Sequence, residues 1–197
     1  MGVKQMTKYN ILIAEDEPLI RMDLKEMVAE YGYNVVADVG NGEEAVKKAR
    51  SCEPDLAILD IKMPGLTGLK VAEIMHAEDI APVILLTAYS QSEFIEDAKN
   101  KGVMHYLIKP VDEKELMVSI ELVIARYKDL KLARQEVQRA YNKLSERKII
   151  ERAKGVLMTD EKFSEKEAYQ KIQRVSMNRG ISMKEIAEMI IINSELK

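Results

Sequence analysis

Uncharged apolar blocks alternate with amphipathic stretches through the first two thirds of the chain. Tyr9-Asn10-Ile11-Leu12-Ile13-Ala14 is a short apolar run that ends in Glu15-Asp16-Glu17. A helical spacing follows (Leu19, Ile20, Met22, Leu24, Met27, Val28) and stops at Tyr31-Gly32, where the glycine suits the C′ position of a helix. The same unit then recurs. Strands are predicted at 35–37, 56–59, 83–86 and 104–108, and helices at 43–52, about 66–76 and 92–101. The strand runs are nearly continuous in apolar residues, as strands buried on both faces require. Short connections between such units predict an α/β doubly wound, five-stranded parallel sheet with right-handed crossovers.

The pattern changes after Pro110. No proline or glycine occurs between Pro110 and Gly155, so a helix here could reach roughly 65 Å at about 1.5 Å per residue. Leu116, Ile120, Val123, Tyr127, Leu130, Arg134, Val137, Tyr141 and Leu144 step alternately by four and three, and only Arg134 interrupts the apolar seam. The early part of such a helix covers the sheet. The later part has nothing of its own to cover, which predicts a coiled coil with a second copy, with folding back on its own domain as the alternative. Beyond Gly155, Thr159-Asp160-Glu161-Lys162 reads as a loop. Ser164 with Glu167, and Ser182 with Glu185, have the spacing of capping boxes, so helices are predicted from 164 to about 177 and from 182 to about 192, joined by a turn at Asn178-Arg179-Gly180. The expected organisation is a domain over 1–125, a coiled-coil linker helix over 126–142 and a small three-helix all-α domain over 143–197.

Charge divides the chain the same way. Residues 1–133 hold 16 Lys/Arg against 23 Asp/Glu, whereas residues 134–197 hold 14 against 10. The acidic front and basic tail point to two jobs, with the tail the candidate for a polyanion. Cys52 is the single cysteine, so no intramolecular disulfide can form, and a reducing cytosol is the expected setting. No stretch approaches the ~20 apolar residues of a membrane span, and the N-terminus lacks a signal-peptide layout. A cytoplasmic chain without membrane partners is expected.

The candidate chemistry lies at the carboxyl ends of the predicted strands, where doubly wound folds bind ligands. Glu15-Asp16, Asp60, Thr87 and Lys109-Pro110 all fall there. A solvated rim of charges is the plainer explanation, but three acids, a hydroxyl and a lysine on one edge make a poor chance assortment. Clustered carboxylates without His or Cys favour Mg²⁺, and a carboxylate can act as a nucleophile toward phosphorus. With "ILIAEDEP", "LAILDIKMPGLTG", "VILLTAYS" and "HYLIKP" in this order, the chain over 9 to about 128 resembles the flavodoxin-like receiver domain of two-component response regulators. The resemblance implies that Asp60 accepts a phosphoryl group from a histidine kinase. It implies Mg²⁺ at Glu15, Asp16, Asp60 and the backbone carbonyl of Lys62, a switch pair of Thr87 and Tyr106, and Lys109 beside the phosphoryl group. Glu15 stands where aspartate is commoner, and Thr67 stands where Asp is commoner.

For the tail, a helix-turn-helix reading DNA competes with a second resemblance. The would-be recognition helix, 182–192, has Lys184 as its only base, beside Glu185 and Glu188, a poor surface for phosphates. "RKIIERAKGVLM", "SEKEAYQKIQRVSMNRG" and "ISMKEIAEMII" together resemble an ANTAR domain, an RNA-binding antiterminator module. This resemblance implies an RNA hairpin in a leader transcript as partner, often read by a dimer, and the switch face near the start of the long helix makes a homodimer formed on phosphorylation the expected readout. Arg147, Lys148, Arg152, Lys154, Lys171, Arg174 and Arg179 are the candidate basic surface, and Tyr169 a candidate for stacking on a loop base. Ala153 and Gly155 are small enough for close approach. The expected function is regulatory, not enzymatic: a phosphorylation-activated response regulator that dimerises and binds RNA to prevent termination. The alternatives are a DNA-binding transcriptional response regulator and a receiver whose tail binds only a protein.

Overall fold

The computed structural model describes residues 9–88 and 102–195, in two compact units, 1–130 and 131–197. In the first unit, strands β1 (Asn10–Ala14), β2 (Asn34–Val39), β3 (Leu56–Asp60), β4 (Val83–Thr87) and β5 (Val103–Ile108) alternate with helices α1 (Pro18–Glu30), α2 (Gly42–Cys52) and α3 (Gly68–Ala77). The helix expected at 92–101 lies outside the described residues. All pairings are parallel, in the order β2-β1-β3-β4-β5. The apolar runs explain this burial. Alternate residues of each strand point to opposite faces, so Leu12, Leu59 and Leu85 pack under α2 and α3, while Ile13, Ile58 and Leu86 pack under α1 and the start of a long helix.

Local signals set the helix ends. Gly32 has φ +83; its N–H donates to Ala29 O, and the next N–H, of Tyr33, donates to Val28 O. This is a Schellman closure, and it turns the chain straight into β2. Asn41 and Thr67 accept hydrogen bonds from the N–H groups of Glu44 and Lys70, capping α2 and α3.

The long helix α4 runs from Glu113 to Asp160. Its beginning buries Leu116, Ile120 and Val123 against the sheet, and Tyr127 donates to Asp79 Oδ1 at 2.9 Å. The second unit holds the rest of α4 together with α5 (Glu165–Arg179) and α6 (Met183–Glu195). Ala153, Leu157, Ala168, Ile172, Ile186, Ala187 and Ile191 form its core. Both capping boxes form: Ser164 N–H donates to Glu167 Oε2 at 2.9 Å and Ser182 N–H to Glu185 Oε2 at 2.8 Å.

Two expectations about loops need correction. Thr159 and Asp160 are helical. The Thr159 hydroxyl bonds back to Gly155 O at 3.0 Å and Glu161 N–H still donates to Leu157 O, so the chain turns only at Lys162, whose φ is +61. Asn178 and Arg179 likewise complete α5, and Gly180 alone turns, at φ +66. A local preference for turn chemistry loses in both places to continuation of the helical ladder.

Candidate functional site: an acidic pocket and a helical output unit

Each strand end contributes one part of the pocket. Glu15 follows β1 and is fully buried; its N–H donates to Val39 O and the Arg21 guanidinium donates to its carbonyl at 2.5 Å. Asp60 ends β3 and is 6% exposed. Its Oδ2 accepts the Lys62 N–H at 2.7 Å. Thr87 ends β4, buried, and its carbonyl accepts the Lys109 N–H at 2.8 Å. That bond places Lys109, which follows β5, with Nζ 2.6 Å from Glu15 Oε2 and 2.6 Å from Asp60 Oδ1. Asp16 is exposed at the mouth, and carboxylate oxygens of Glu15, Asp16 and Asp60 lie within 4.8 Å of one another. A cavity of about 290 Å³ opens here, lined by Asp16, Glu17, Asp60, Lys62, Thr87 and Lys109 among others.

The electrostatics follow from burial. Desolvation pushes the Glu15 carboxyl above its ordinary value; the Asp60 charge adds to this, and Lys109 opposes it. Burial alone would lower the Lys109 ammonium, but its close contacts with the Asp60 and then the Glu15 carboxylates outweigh it, so the group is held above its usual range. Glu15 Oε2 is buried, and although Lys109 Nζ reaches it as an ion pair, no hydrogen bond of good geometry does. An all-oxygen donor set with an undersatisfied buried carboxylate fits a hard divalent cation such as Mg²⁺. Such a set also leaves Asp60 at a cavity wall, where an oxygen can meet an incoming phosphorus.

The structure therefore gathers Glu15, Asp16, Asp60, Lys62, Thr87 and Lys109. It leaves Tyr106 apart: opposite Leu85 in the β4–β5 ladder, 40% exposed, with its ring stacked on His105 at 6.2 Å. Sequence reasoning missed three contributors. Arg21 reaches Glu15 from the second turn of α1. Gly42 and Gly68 let α2 and α3 close on the loop that carries Asp60. Their N–H groups donate to Pro64 O and Ile61 O, and a Cβ would stand 2.0 Å from Leu66 O or 2.1 Å from Asp60 O. Gly68 closes the quoted motif "LAILDIKMPGLTG", but its packing role shows only in the fold, and Gly42 has no signal of its own because its contact with Leu66 joins segments distant in the chain.

In the second unit, Arg147, Lys148, Arg174 and Arg179 are exposed and, among the described residues, enter no ion pair. Arg152 pairs with Glu195 at 2.7 Å, both exposed. Lys171 pairs with Glu161 and lies over the Phe163 ring, 4.9 Å from its centroid. Tyr169 is exposed. Lys154 departs from the expected basic surface: it is 6% exposed, with its ammonium 2.8 Å from both Glu151 and Glu165. Those two carboxylates raise its pKa. Lys154 ties the end of α4 to the first turn of α5 and faces inward.

A buried carboxylate beside two further acids, a threonine and a lysine, on the carboxyl edge of a 2-1-3-4-5 parallel sheet, is the arrangement of a receiver domain. The comparisons agree along the chain. The response regulator receiver domain model matches residues 11–121, and the ANTAR domain model matches residues 138–191. The chain belongs to the response regulators that join a receiver to an ANTAR output domain. It is 43% identical over 181 residues to the transcriptional regulatory protein PdtaR of Mycobacterium tuberculosis, covering 92% of this chain and 88% of that one. Among solved structures, the signal receiver domain of a modulated diguanylate cyclase from Desulfovibrio desulfuricans is 35% identical, with a TM-score of 0.58, over 62% of this chain and 98% of that one. The CheX–CheY–BeF3–Mg complex from Borrelia burgdorferi matches at 28% identity and a TM-score of 0.56, over 58% and 88%. Among the described residues, no helix is long and apolar enough to cross a membrane.

Proposed function

We propose that Asp60 accepts a phosphoryl group from a histidine kinase, that the phosphorylated chain pairs through α4, and that the paired C-terminal units bind an RNA hairpin in a leader transcript and so prevent formation of a terminator. The reading rests on Asp60: a nearly buried carboxylate with one oxygen on a lysine, the other on a backbone N–H, and an open cavity in front. In the transfer, an Asp60 oxygen forms the bond to phosphorus as the phosphorus–nitrogen bond to the kinase histidine breaks. Glu15, Asp16, Asp60 and the Lys62 carbonyl hold Mg²⁺, which neutralises charge on the incoming phosphoryl oxygens. Lys109 moves from the carboxylates to the phosphoryl group, and the Thr87 hydroxyl hydrogen-bonds to it. Thr87 moving inward leaves room that the outward Tyr106 fills, which reshapes the face near α4. That a related CheY was crystallised with BeF3 and Mg supports the cation and the phosphoryl-like group.

Pairing uses the seam that α4 leaves exposed at Leu130, Val137, Tyr141 and Leu144. RNA contacts come from Arg147, Lys148, Arg152, Lys171, Arg174 and Arg179, with Tyr169 able to stack a loop base; Lys154 supports them from inside. The protein works in the cytoplasm, with domains close to 1–125, 126–142 and 143–197. On α6, Lys184 stands 3.7 Å from Glu188, which further weakens this helix as a reader of DNA. The test is a gel shift with matched RNA and DNA hairpins from the adjacent leader, with and without acetyl phosphate and Mg²⁺. RNA binding that strengthens on phosphorylation is expected. Tight DNA binding without RNA binding would overturn the reading.

A further inference from the structure

Gly155 sits inside α4, not at its end, and an added Cβ there would meet nothing within 4 Å. A glycine in a helix interior costs stability relative to alanine, and neither a turn nor a neighbour in this unit requires one here. Its helical neighbours give it a context. Lys148, Arg152, Gly155 and Thr159 follow steps of four, three and four, so they line one face of the helix over about 16 Å. All four are exposed. The Gly155 carbonyl accepts the Thr159 hydroxyl, and the side of the backbone where a Cβ would stand is open, with nothing within 4 Å.

This face continues the exposed apolar seam of Val137, Tyr141 and Leu144 along the same helix. At Lys148 its character switches from apolar to cationic. A parallel second copy would bring each Lys148 toward its own counterpart, and like charges placed opposite each other disfavour continued pairing. A polyanion suits the same face, because cations lead to a place where backbone can be approached closely.

We propose that the Lys148–Arg152–Gly155–Thr159 face of α4 is the surface on which bound RNA lies, with phosphates at Lys148 and Arg152 and the nucleotide chain pressed against the bare backbone of Gly155. The inference rests on the RNA-binding reading above and names where on the chain the RNA sits. Lys154, one residue from the glycine but turned inward, positions this face through Glu165.

The test uses the full chain, treated with acetyl phosphate and Mg²⁺, and an RNA hairpin enriched on the wild-type protein from a library with a randomised loop. Gly155→Ala should raise the thermal midpoint, because alanine favours the helix at an open site, and yet weaken hairpin binding at least tenfold. Lys148→Gln should lower the slope of log K against log salt by about one, as loss of one phosphate contact does. Sedimentation of both variants should match wild type. Gly155→Ala binding within twofold of wild type would overturn the proposal, as would a binding loss recovered at concentrations that force dimerisation, since the face would then belong to a second copy. If the wild-type protein enriches no RNA hairpin over its DNA counterpart, the RNA reading itself fails, and this one with it.

Discussion

Gly68→Ala isolates the mechanical link between helix packing and Asp60, the proposed acceptor. Gly68 opens α3 directly under the carbonyl of Asp60, and its own N–H donates to Ile61 O at 3.0 Å. An alanine Cβ would stand 2.1 Å from Asp60 O and 2.9 Å from its carbonyl carbon. Carbon–oxygen approaches become tolerable near about 3.3 Å, so the two backbones must part by about 1 Å. Both partners are main chain, and no rotamer can relieve the clash. Overpacking of this kind costs up to about 3 kcal/mol. Replacing glycine within a helix returns about 0.5–1 kcal/mol. The net loss is about 2 kcal/mol, or a melting temperature lower by about 8 °C for a domain of this size. A displacement of about 1 Å at a reacting group can also slow reaction by about 100-fold. Urea unfolding followed by circular dichroism, and phosphoryl uptake from acetyl phosphate with Mg²⁺, measure the two effects. Gly32→Ala is the control: it has φ +83 and no neighbour near its missing Cβ, so it should lose about 1 kcal/mol from backbone strain with phosphoryl uptake unchanged. Wild-type stability together with wild-type uptake in Gly68→Ala would refute the reasoning.

Asp60→Asn should abolish phosphoryl incorporation, read on phosphate-affinity gels, and phosphate-stimulated dimerisation, read by sedimentation, while the circular dichroism spectrum stays that of wild type. Lys109→Met leaves the buried Glu15 and Asp60 carboxylates without their shared cation, so the first unit should lose about 3–5 kcal/mol in urea at pH 7, and millimolar Mg²⁺ should restore part of it. Lys154→Met should lower the thermal midpoint of the second unit by leaving Glu151 and Glu165 unpaired; an unchanged midpoint would return Lys154 to the surface contacts. Glu165, Glu167 and Glu185 are held below the ordinary carboxylate pKa, by hydrogen bonds from Lys154, Ser164 and Ser182 respectively. Their stabilisation is present above pH ~4.5 and is lost as pH falls through the folded values. Acid unfolding of the second unit should therefore begin below pH ~4.5, and Glu167→Gln should reduce the proton uptake on unfolding.

The sequence by itself determined the parts with local or periodic causes. Apolar runs in β1, β3 and β4 had to be buried on both faces, since no polar face remained to meet water. Ser164 with Glu167 and Ser182 with Glu185 set helix starts because a capping box is closed within four residues. The acids, threonine and lysine of the pocket were legible from their places after strands. Tertiary structure decided what depends on distant segments. Lys154 reads as one more base in a basic tail, yet Glu165 of the next helix draws it inside. Tyr106 is named by the sequence only as a switch partner of Thr87, and that its ring stands 40% exposed is decided by the fold. Gly42 carries no local signal, because its role is set by the Leu66 carbonyl that folding brings against it, and Gly68, though part of a quoted motif, shows its contact with the Asp60 carbonyl only in the fold. Gly155 shows the converse: sequence marks it as small, and only the folded unit reveals that nothing within the unit uses the space.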